Sequence, residues 1–594
     1  MSIEIGEVIA VQGLKITLKI FETSSKDTLF YNGKRFKGVS IHEYISIQRG
    51  FRDIICTVEG EYLDERKFEP DGDKINYIRK VEAKPIGYFE NGSFFPGIKF
   101  LPMIKDKTFL LEENKISEIF SIGNDNQFQI GKTLKADIPI SLPWEKLFNS
   151  HIGIFGNTGS GKSNTLAKIY TVLFDKKLEN ISGKSKFTII DFNGEYTKNQ
   201  LINDENDKTV IKLDTKSNSN GDKFPLAGKQ FWDIETLSIL FQATTNTQRP
   251  FLNRVINGWS KYAENQDSLL KYITSTFEKV FTSTGQKAEA LDLLKRIASI
   301  VKADELVEEL KKIEWHVSGQ KFYIKESNFY FNGNVDEYKN NNLSTVVNEL
   351  SVNDLNNFDE LIIRINIQLT RDLIQGYVQY DHIQPLLKRA EASISTLEKV
   401  IEIVVNNPPE KTLTVISLRN CNQDIKKVLP LLIAKQLYKE HKKDTTHRPD
   451  KTRHLIIDEA HNILSQQSSS ERESWKDYRL ELFEEIIKEG RKFGMFLTLS
   501  SQRPADISPT IISQVHNFFI HRLVNERDLY LLENTLSTVD SKSRSLTPNL
   551  PKGSCILTGT AFELPILIQI DQLPSEQRPD SEDVDLTDLW GEQN

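Results

Sequence analysis

The sequence predicts an α/β protein with a mostly parallel sheet, preceded by a small β-barrel or sandwich and interrupted by a helical insertion. Residues 1–140 contain short runs rich in Ile, Val, Thr and aromatic residues, separated by Gly, Asn and Asp turns. From His151 onward, short apolar strands alternate with segments of helical period, which is typical of a parallel sheet covered on both faces. Between residues 228 and 405 the strand signals nearly vanish and amphipathic helical spacing replaces them.

Length and composition limit the classes of protein that fit. The 594 residues suffice for several domains, and 38% hydrophobic and 27% charged residues are ordinary for a soluble globular protein. No apolar run reaches the ~18 residues of a membrane span, the start of the chain does not resemble a signal peptide, and three scattered cysteines form no zinc or disulfide pattern. We therefore expect a cytoplasmic protein without membrane contact. The net charge of −7 argues against nucleic acid covering the whole surface but permits a local basic channel.

The order of predicted elements gives a division into domains. In the core, "HIGIF" is an apolar strand before a glycine-rich loop and a helix. Further buried strands are predicted at 186–191, 412–418, 454–460, 495–502 and 518–524. Helices are predicted within 290–313 and 386–406, with a polar hairpin or loop at 323–342. The expected domains are a barrel at 1–140, a core in two parts at 141–227 and 406–573, a helical insertion at 228–405 and an acidic tail at 574–594.

The loop after the first core strand fits the phosphate-binding pattern G-x-x-x-x-G-K-[ST]. Its glycines let the backbone amides turn inward toward phosphate, and the following helix adds the positive end of its dipole. Lys162 is expected to reach the β- and γ-phosphates, and Ser163 to ligate Mg²⁺. A chance match in a Gly/Ser linker is the alternative, which the strand before the loop and the helix after it disfavour. The predicted nucleotide-binding residues are Gly156, Asn157, Thr158, Gly159, Ser160, Gly161, Lys162, Ser163 and Asn164.

Two adjacent carboxylates end the predicted strand in "HLIIDEAHNIL". Buried acidic residues are costly unless a cation or water uses them. Asp458 is expected to hold Mg²⁺ through water, and Glu459 to orient or deprotonate the attacking water. The alternative is an acidic surface turn at a strand end.

Three further positions are candidates with open alternatives. Gln502, at the end of the next strand, is a candidate sensor of the γ-phosphate or of the attacking water, or a turn residue. Arg491 is a candidate for a charge-stabilising contact to the triphosphate of a neighbouring subunit, or a cation at a helix end before Gly494. Asp191 and Glu195 support the metal or the pore loops, or they belong to a strand-end turn built on Asn-Gly.

The order of motifs resembles the HerA-type ATPases of the HerA/FtsK superfamily. A β-rich start precedes "GNTGSGKSN", followed by "IIDFNGEY", a helical segment, "LIIDEAHNIL", "IIKEGRKFGMFLTLSSQRPADISPTIISQVHNFFIHRLVNERD" and "LPKGSCILTGTAFELPILIQI". The resemblance covers roughly 1–25, 140–200 and 410–570, and leaves 228–405 and the tail unmatched. It implies a RecA-like core, an N-terminal HAS β-barrel, ATP with Mg²⁺ between subunits, and a homo-hexamer around double-stranded DNA.

By position in the motifs, Lys162, Ser163, Asp458, Glu459 and Gln502 match the catalytic residues of this family, and Arg491 matches its trans-acting arginine finger. One departure concerns residues 149–150, where Asn and Ser stand in place of a basic residue that the family often has. A second arginine contact is therefore in doubt.

The resemblance implies an ATP-hydrolysing DNA translocase that works with a separate effector. Because the sequence shows no second catalytic constellation, the effector chemistry is expected to belong to a partner. A composition rich in Asn and Gln, with only 27% charged residues, lacks the look of a hyperthermophile and favours the branch in which a nuclease or sirtuin-like NADase acts in anti-phage defence. The alternatives are DNA end resection with a NurA-type nuclease, and a ring scaffold that uses ATP mainly for effector assembly.

The acidic tail carries Leu586, Leu589 and Trp590 at helical spacing. Such an apolar face favours docking against a neighbouring subunit or the effector. A solvated, disordered end is the alternative.

Overall fold

The computed structural model describes most of the chain and leaves several short segments undescribed. The described residues are 3–26, 28–31, 34–67, 75–120, 128–134, 137–216, 221–261, 267–444, 449–466, 473–535, 545–562, 564–580 and 590. Of the three apolar tail residues, only Trp590 lies among them, so the predicted tail helix falls outside the described residues.

The N-terminal part forms a closed β-barrel. Its strands, in chain order, are β1 (Glu4–Gln12), β2 (Lys15–Ile20), β3 (Thr28–Tyr31), β4 (Lys34–Lys37), β5 (Tyr44–Arg49), β6 (Arg52–Lys67), β7 (Ile75–Glu90), β8 (Ser93–Pro96) and β9 (Lys107–Leu110). Six strands pair in the order β2-β1-β9-β5-β6-β7, and β7 pairs back to β2 to close the ring, while β8 extends β7 and β3–β4 form a separate hairpin. Alternate residues such as Ile16, Leu18 and Ile20 point inward, which is the period-2 pattern that the sequence showed. The predicted barrel is confirmed.

An eleven-stranded mixed sheet forms the core. Its strands are β10 (Gln129–Thr133), β11 (Pro139–Ser141), β12 (Ile152–Phe155), β13 (Ser185–Asp191), β14 (Lys208–Asp214), β20 (Leu413–Asn420), β21 (Thr452–Ile457), β22 (Met495–Ser501), β23 (Asn517–Ile520), β24 (Ser554–Gly559) and β25 (Ile566–Ile570). The order is β11-β10-β25-β24-β23-β12-β22-β21-β13-β20-β14. From β23 to β14 all neighbours are parallel, and β24, β25, β10 and β11 add antiparallel strands. The predicted mostly parallel α/β core is confirmed.

Two strands of the large sheet come from the segment expected to be barrel. β10 pairs with β25 rather than with a barrel strand, and Ile130 is fully buried in the core cluster beneath the sheet. The sequence pattern of a short strand does not say which sheet it will join, because pairing partners are distant in sequence. The full division into domains stays a prediction.

Helices cover both faces of the sheet. They are α1 (Glu113–Phe120), α2 (Trp144–Phe148), α3 (Lys162–Ile181), α14 (Gln423–Asp444), α15 (His461–Leu464), α16 (Glu473–Glu489), α17 (Pro509–Ser513) and α18 (Glu526–Thr535). β12 and β22 are buried along their whole length, as expected for central strands with helices on both sides.

The part between β14 and β20 is mostly helical. Its helices are α4 (Gly228–Phe231), α5 (Ile234–Leu240), α6 (Gln248–Ser260), α7 (Ser268–Thr282), α8 (Ala288–Val301), α9 (Asp304–Lys311), α10 (Val335–Lys339), α11 (Asn342–Asn348), α12 (Asn357–Ile374) and α13 (Tyr380–Val400). Its short strands are β15 (Phe224–Ala227), β16 (Ile313–His316), β17 (Lys321–Ile324), β18 (Phe329–Tyr330) and β19 (Ile401–Val404).

The two ends of this helical part lie side by side, because β15 pairs with β19 in parallel. The helical pattern predicted through residue 406 stops at Val400, where the alternating Ile-Glu-Ile-Val of β19 favours a strand. The long helix α12 packs against α6, α7, α8 and α13 and is the centre of this part. An Asn356–Asp359 capping box begins α12.

Candidate active site

The phosphate loop is preformed and enclosed. It follows β12 and leads into α3, with Gly159 (φ 72°) and Gly161 (φ 111°) in conformations that favour glycine. A Cβ atom on Gly156 would lie 2.4 Å from the Cβ of His521, and one on Gly161 would lie 2.8 Å from the Cα of Gly553. Gly159 therefore needs glycine for its backbone angle, Gly156 for the close approach of His521 after β23, and Gly161 for both its angle and the close approach of the turn before β24.

Lys162 is folded back over this loop. It is 6% exposed, and its Nζ lies 3.3 Å from the Asn157 carbonyl oxygen, to which it donates. Ser160 is held in the same curve, since its hydroxyl donates to Asn157 O at 2.7 Å. The amides, the lysine and the start of α3 converge on one cradle, which is the arrangement that binds polyphosphate.

Acidic side chains gather beside the loop at the carboxyl ends of β13 and β21. These strands are parallel neighbours, so Asp191 and Asp458 emerge at the same edge of the sheet. Burial raises the pKa of Asp458 well above its ordinary value, and the carboxylates of Glu195 and Glu459 add to the rise. Burial likewise raises the pKa of Glu195, opposed by hydrogen bonding with the Ser163 hydroxyl.

This edge fits a magnesium ion. Asp458 Oδ2 and Glu195 Oε2 are buried and have no hydrogen-bond partner among the described residues. Unpaired buried carboxylate oxygens next to a serine hydroxyl suit a hard cation that binds oxygen. Within the described residues, no group of three or more His, Cys, Asp or Glu side chains is placed to hold a metal ion by itself.

The structure separates the two candidates that follow β13. Asp191 accepts four backbone N–H groups, from Asn193, Gly194 and Glu195 at Oδ1 and from Tyr196 at Oδ2. Asp191 is thus the cap of the strand-end turn. Glu195 lies on that turn against Ser163.

Glu459 stands in the left-handed backbone region at φ 50°, which is unusual for a residue with a side chain. Its Oε2 lies 3.2 Å from His461 Nδ1. Burial raises the pKa of Glu459, but His461 and Lys162 outweigh burial and hold that pKa below its ordinary value. Glu459 is therefore an ionised carboxylate at neutral pH, the state that a general base requires.

Gln502 follows β22 and contacts the phosphate loop directly. The Thr158 hydroxyl donates to Gln502 Oε1, so the predicted sensor and the predicted loop are joined. The hydroxyl of Ser501 lies 3.2 Å from His461 Nδ1, which links this strand end to the Glu459 turn.

Arg491 lies at the other edge of the sheet. It occupies a 3-10 turn (Gly490–Phe493) before β22, and its Nη1 is 3.2 Å from His516 Nε2. The seven residues of β22 span roughly 20 Å at about 3.3 Å each, so Arg491 does not reach the phosphate loop of its own chain.

Two side chains at the site escaped the sequence analysis. Tyr196 is fully buried, and burial raises the pKa of its hydroxyl well above the ordinary value, with the carboxylates of Asp458 and Glu195 adding to the rise. His521 is fully buried beside the loop, with Nε2 2.9 Å from Thr165 Oγ1, and burial lowers its pKa to about 3, assisted by Lys162. The sequence analysis placed His521 inside a strand predicted at 518–524, whereas β23 ends at Ile520, so the position of His521 at the carboxyl edge of the sheet was not visible from the sequence.

A C-terminal segment also crosses this region. Asn164 Nδ2 donates to Asp571 O, and the Leu573 N–H donates to Asn164 Oδ1. The Asp580 N–H donates to the carbonyl of Glu195 at 3.0 Å, and Lys198 pairs with the Asp580 carboxylate at 2.9 Å. The start of the predicted tail therefore packs against the site. No local sequence pattern predicts this contact.

Known proteins resemble the chain over most of its length. The family model described as the central domain of helicase HerA matches residues 128–370. A probable helicase of Methanocaldococcus jannaschii is 25% identical, covering 82% of this chain and 79% of the relative. The DNA double-strand break repair helicase HerA of Sulfurisphaera tokodaii is 23% identical, covering 87% and 83%.

Solved structures give weaker likenesses. VirB4 of Thermoanaerobacter pseudethanolicus aligns with a TM-score of 0.41 at 15% identity, over 77% of this chain and 100% of that one. The conjugative coupling protein TrwB aligns with a TM-score of 0.44 at 11% identity, over 82% and 96%.

The motifs left the helical segment 228–405 unmatched, and the family model extends across part of it, to residue 370. Helices with a common amphipathic spacing carry little sequence signature, so this match was not visible from motifs. The preformed phosphate loop, the ionised Glu459 and the similarity to these helicases together identify the protein as a P-loop ATPase that is similar to helicase HerA.

Proposed function

We propose that the chain forms a hexameric ring in which each ATP site is completed by the next subunit, and that hydrolysis drives double-stranded DNA through the ring. The position of Arg491 carries this proposal. It lies at the edge of the sheet opposite to the phosphate loop of its own chain, in contact with His516 and exposed at the surface. An arginine placed there can stabilise transition-state charge only in the site of a neighbour.

The site residues divide the work of the reaction. Lys162 and the loop amides grip the phosphates, and Ser163 and Asp458 would hold Mg²⁺, which supplies charge neutralisation on the phosphates when bound. Glu459 orients and deprotonates water, because its carboxylate stays ionised. Gln502, bonded to Thr158, relays the state of the phosphates to β22.

DNA is the substrate that the relatives favour, since five of them carry names of DNA double-strand break repair helicases. No helix among the described residues is long and apolar enough to span a membrane. We infer that the ring works in the cytoplasm with a separate effector, a nuclease or a sirtuin-like NADase, in defence against phage. End resection with a NurA-type nuclease is the second candidate.

A ring scaffold that uses ATP only for assembly is disfavoured by the ionised Glu459, which binding alone would not need. The test is steady-state ATP hydrolysis by purified rings with and without linear double-stranded DNA. A translocase should hydrolyse ATP several-fold faster with DNA, by an amount that grows with duplex length. Rings of verified stoichiometry whose turnover ignores DNA would support the scaffold instead.

The effector class is tested separately. The gene product encoded next to this chain would be co-expressed with it, and the complex assayed for DNA cleavage and for NAD⁺ consumption. NAD⁺ consumption would identify an NADase effector and support the defence role, whereas DNA cleavage without NAD⁺ consumption would identify a nuclease, which either role can use.

A further inference from the structure

A basic cleft lies in the helical part, between α6, α7 and α12. It has a volume of about 460 Å³. The residues that line it are Gly258, Lys261, Ser268, Lys271, Tyr272, Ser275, Arg364 and Arg371. Four of the eight are cations, three carry hydroxyl groups and none is acidic, in a chain whose net charge is −7. The cleft is thus a local reversal of the charge of the whole molecule.

The spacing of these residues shows how two helices build the walls. Ser268, Lys271 and Ser275 recur along α7 at three and four residues, so they share one face of that helix. Arg364 and Arg371 are seven residues apart on α12, which is about two turns and places both on the face toward α7.

The arginines are held in place by the protein. Arg371 donates to the hydroxyls of Ser275 and Thr276 at 3.2 and 3.3 Å, and its guanidinium lies 5.0 Å from the ring centre of Tyr272. Arg364 is 3% exposed and donates from Nε to Glu360 at 2.7 Å. Both guanidinium groups are therefore oriented before any ligand arrives.

The positive charge is only partly neutralised. Glu360 compensates Arg364, and the nearby Asp372 is already paired with Arg254 through two hydrogen bonds of 3.0 and 2.8 Å. Within the described part of the chain, Lys271 and Arg371 form no ion pair. Burial lowers the pKa of Lys279 on α7, and the Arg371 guanidinium lowers it further, in agreement with a surplus of positive charge between α7 and α12.

We propose that this cleft is a second anion site, distinct from the phosphate loop, which binds phosphate groups. Guanidinium and ammonium groups donate hydrogen bonds and accept none, so the cleft selects a ligand rich in acceptor oxygens. A phosphate offers several such oxygens and matches the fork of arginine better than a single carboxylate of lower charge. The phosphates can come from the backbone of a nucleic acid or from a free nucleotide or polyphosphate.

The first experiment uses the full chain carrying Lys162→Ala, which silences the phosphate loop. Binding of sodium tripolyphosphate is measured by calorimetry, and the salt dependence of binding is measured with a short labelled DNA duplex. The cleft variant adds Lys271→Gln and Arg371→Gln. The matched control adds Lys339→Gln and Lys388→Gln, two exposed helical lysines outside the cleft with the same loss of charge.

The cleft variant should bind tripolyphosphate about tenfold more weakly or worse, or lose about 0.9 in the salt slope for each DNA phosphate contact removed. Loss in the tripolyphosphate arm alone identifies free phosphate compounds as the source, and loss in the DNA arm, with or without the other, identifies the nucleic acid backbone. Binding equal to the control in both arms overturns the proposal.

A second variant guards against misfolding. Ser275→Asp keeps Lys271 and Arg371 and places a carboxylate beside Arg371. It should therefore prevent phosphate binding in the cleft while the melting temperature stays near that of the control. Neither arm requires hydrolysis. Rings whose ATP turnover does not respond to DNA would therefore overturn the proposed motor and leave the proposed anion site unaffected. DNA-stimulated turnover together with phosphate binding equal to the control would overturn only the proposed anion site.

Discussion

Glu459 shows how one side chain is prepared for chemistry by its surroundings. Its left-handed backbone turns the carboxylate toward the loop, and His461 and Lys162 keep it ionised despite burial. In contrast, Lys162, whose side chain donates to Asn157 O in the loop, is placed to bind phosphate. Binding and water activation are thus assigned to different residues, which makes them separable by mutation.

The change Glu459→Gln should leave ATP binding near wild type and reduce hydrolysis by about 10²–10⁴-fold, because an amide cannot take a proton from water. Equilibrium binding of labelled ATP and steady-state phosphate release measure the two effects. Lys162→Ala is the companion variant and should lose binding itself. Wild-type turnover in Glu459→Gln would remove the assignment of this residue as base.

His454, on β21, is a buried histidine away from the site. Its ring stacks on Phe187 at 4.5 Å, and burial, with the fields of His441 and His151, lowers its pKa to about 3. An unfolded histidine titrates near ~6.5. Below that pH the unfolded chain takes up a proton that the folded chain refuses, so this contribution to stability is present above pH ~6.5 and is lost as the pH falls toward 3.

His454→Phe should therefore flatten the acid side of the stability profile. Between pH ~6 and ~4 the free energy of unfolding of the wild type should fall faster than that of the variant by about 1.4 kcal/mol per pH unit. Melting temperatures of both proteins across this range measure the difference. His382→Phe is the matched control, since that histidine is exposed and its ring stays in water on unfolding. Parallel profiles for wild type and His454→Phe would contradict the prediction.

At the scale of elements, the turn after β13 connects sheet and site. Asp191 gathers four backbone amides, and the turn they form sets Glu195 against Ser163. The same turn accepts the Asp580 amide at Glu195 O, so strand, metal edge and C-terminal segment meet there. The geometry of this turn therefore decides where the acidic cluster lies.

Asp191→Asn should disturb that turn, because the amide group offers one acceptor oxygen where the carboxylate offers two. We expect a loss of about 2–3 kcal/mol in stability and a higher Mg²⁺ concentration for half-maximal hydrolysis. Thermal unfolding and a Mg²⁺ titration of turnover measure both. Asp204→Asn, which keeps an acceptor oxygen for the single amide of Asn206 that Asp204 caps on an exposed turn, should change neither. An Asp191→Asn protein that matches this control in both measurements would show that the turn forms without the Asp191 carboxylate.

At the scale of the whole molecule, the sheet places the two halves of the proposed reaction at opposite edges. The phosphate loop follows β12 at the carboxyl edge, and Arg491 precedes β22 at the amino edge. One chain is therefore complete for binding and incomplete for the charge-stabilising contact, which a ring would supply.

Mixing Arg491→Ala chains with Lys162→Ala chains should restore part of the hydrolysis that each lacks alone. In mixed rings some interfaces join an intact loop to an intact arginine, each worth about 10³-fold or more over an interface without the arginine. Phosphate release is followed against mixing ratio, with native mass spectrometry to confirm mixed rings. Arg503→Ala is the control partner, because Arg503 is an exposed arginine on the loop side of β22. The hydrolysis that it restores in mixed rings should depend only on whether its own ATP site is intact. Mixed rings that form and stay inactive would argue against a contact in trans.

The sequence by itself determined the phosphate loop, the acidic strand end and the alternation of strands and helices, because these depend on short-range patterns. A glycine at a left-handed position, a carboxylate after a buried strand and a period of 3.6 or 2 residues are all legible within a few residues. The positions of Lys162, Ser163 and Asp458 in one site followed from the rule that parallel strands share a carboxyl edge, and the structure brings them together there.

Only the tertiary structure decided which strands share a sheet and which distant groups meet. β10 lies in the core sheet rather than in the barrel. Asp191 caps a turn, whereas Glu195 lies against Ser163. The site also contains Tyr196, His521 and residues 571–580, which no motif had assigned to it. The cleft between α7 and α12 joins residues about 100 positions apart, such as Ser275 and Arg371. Contacts of this kind depend on packing between elements, and packing is set by the summed shape of many side chains rather than by any local motif.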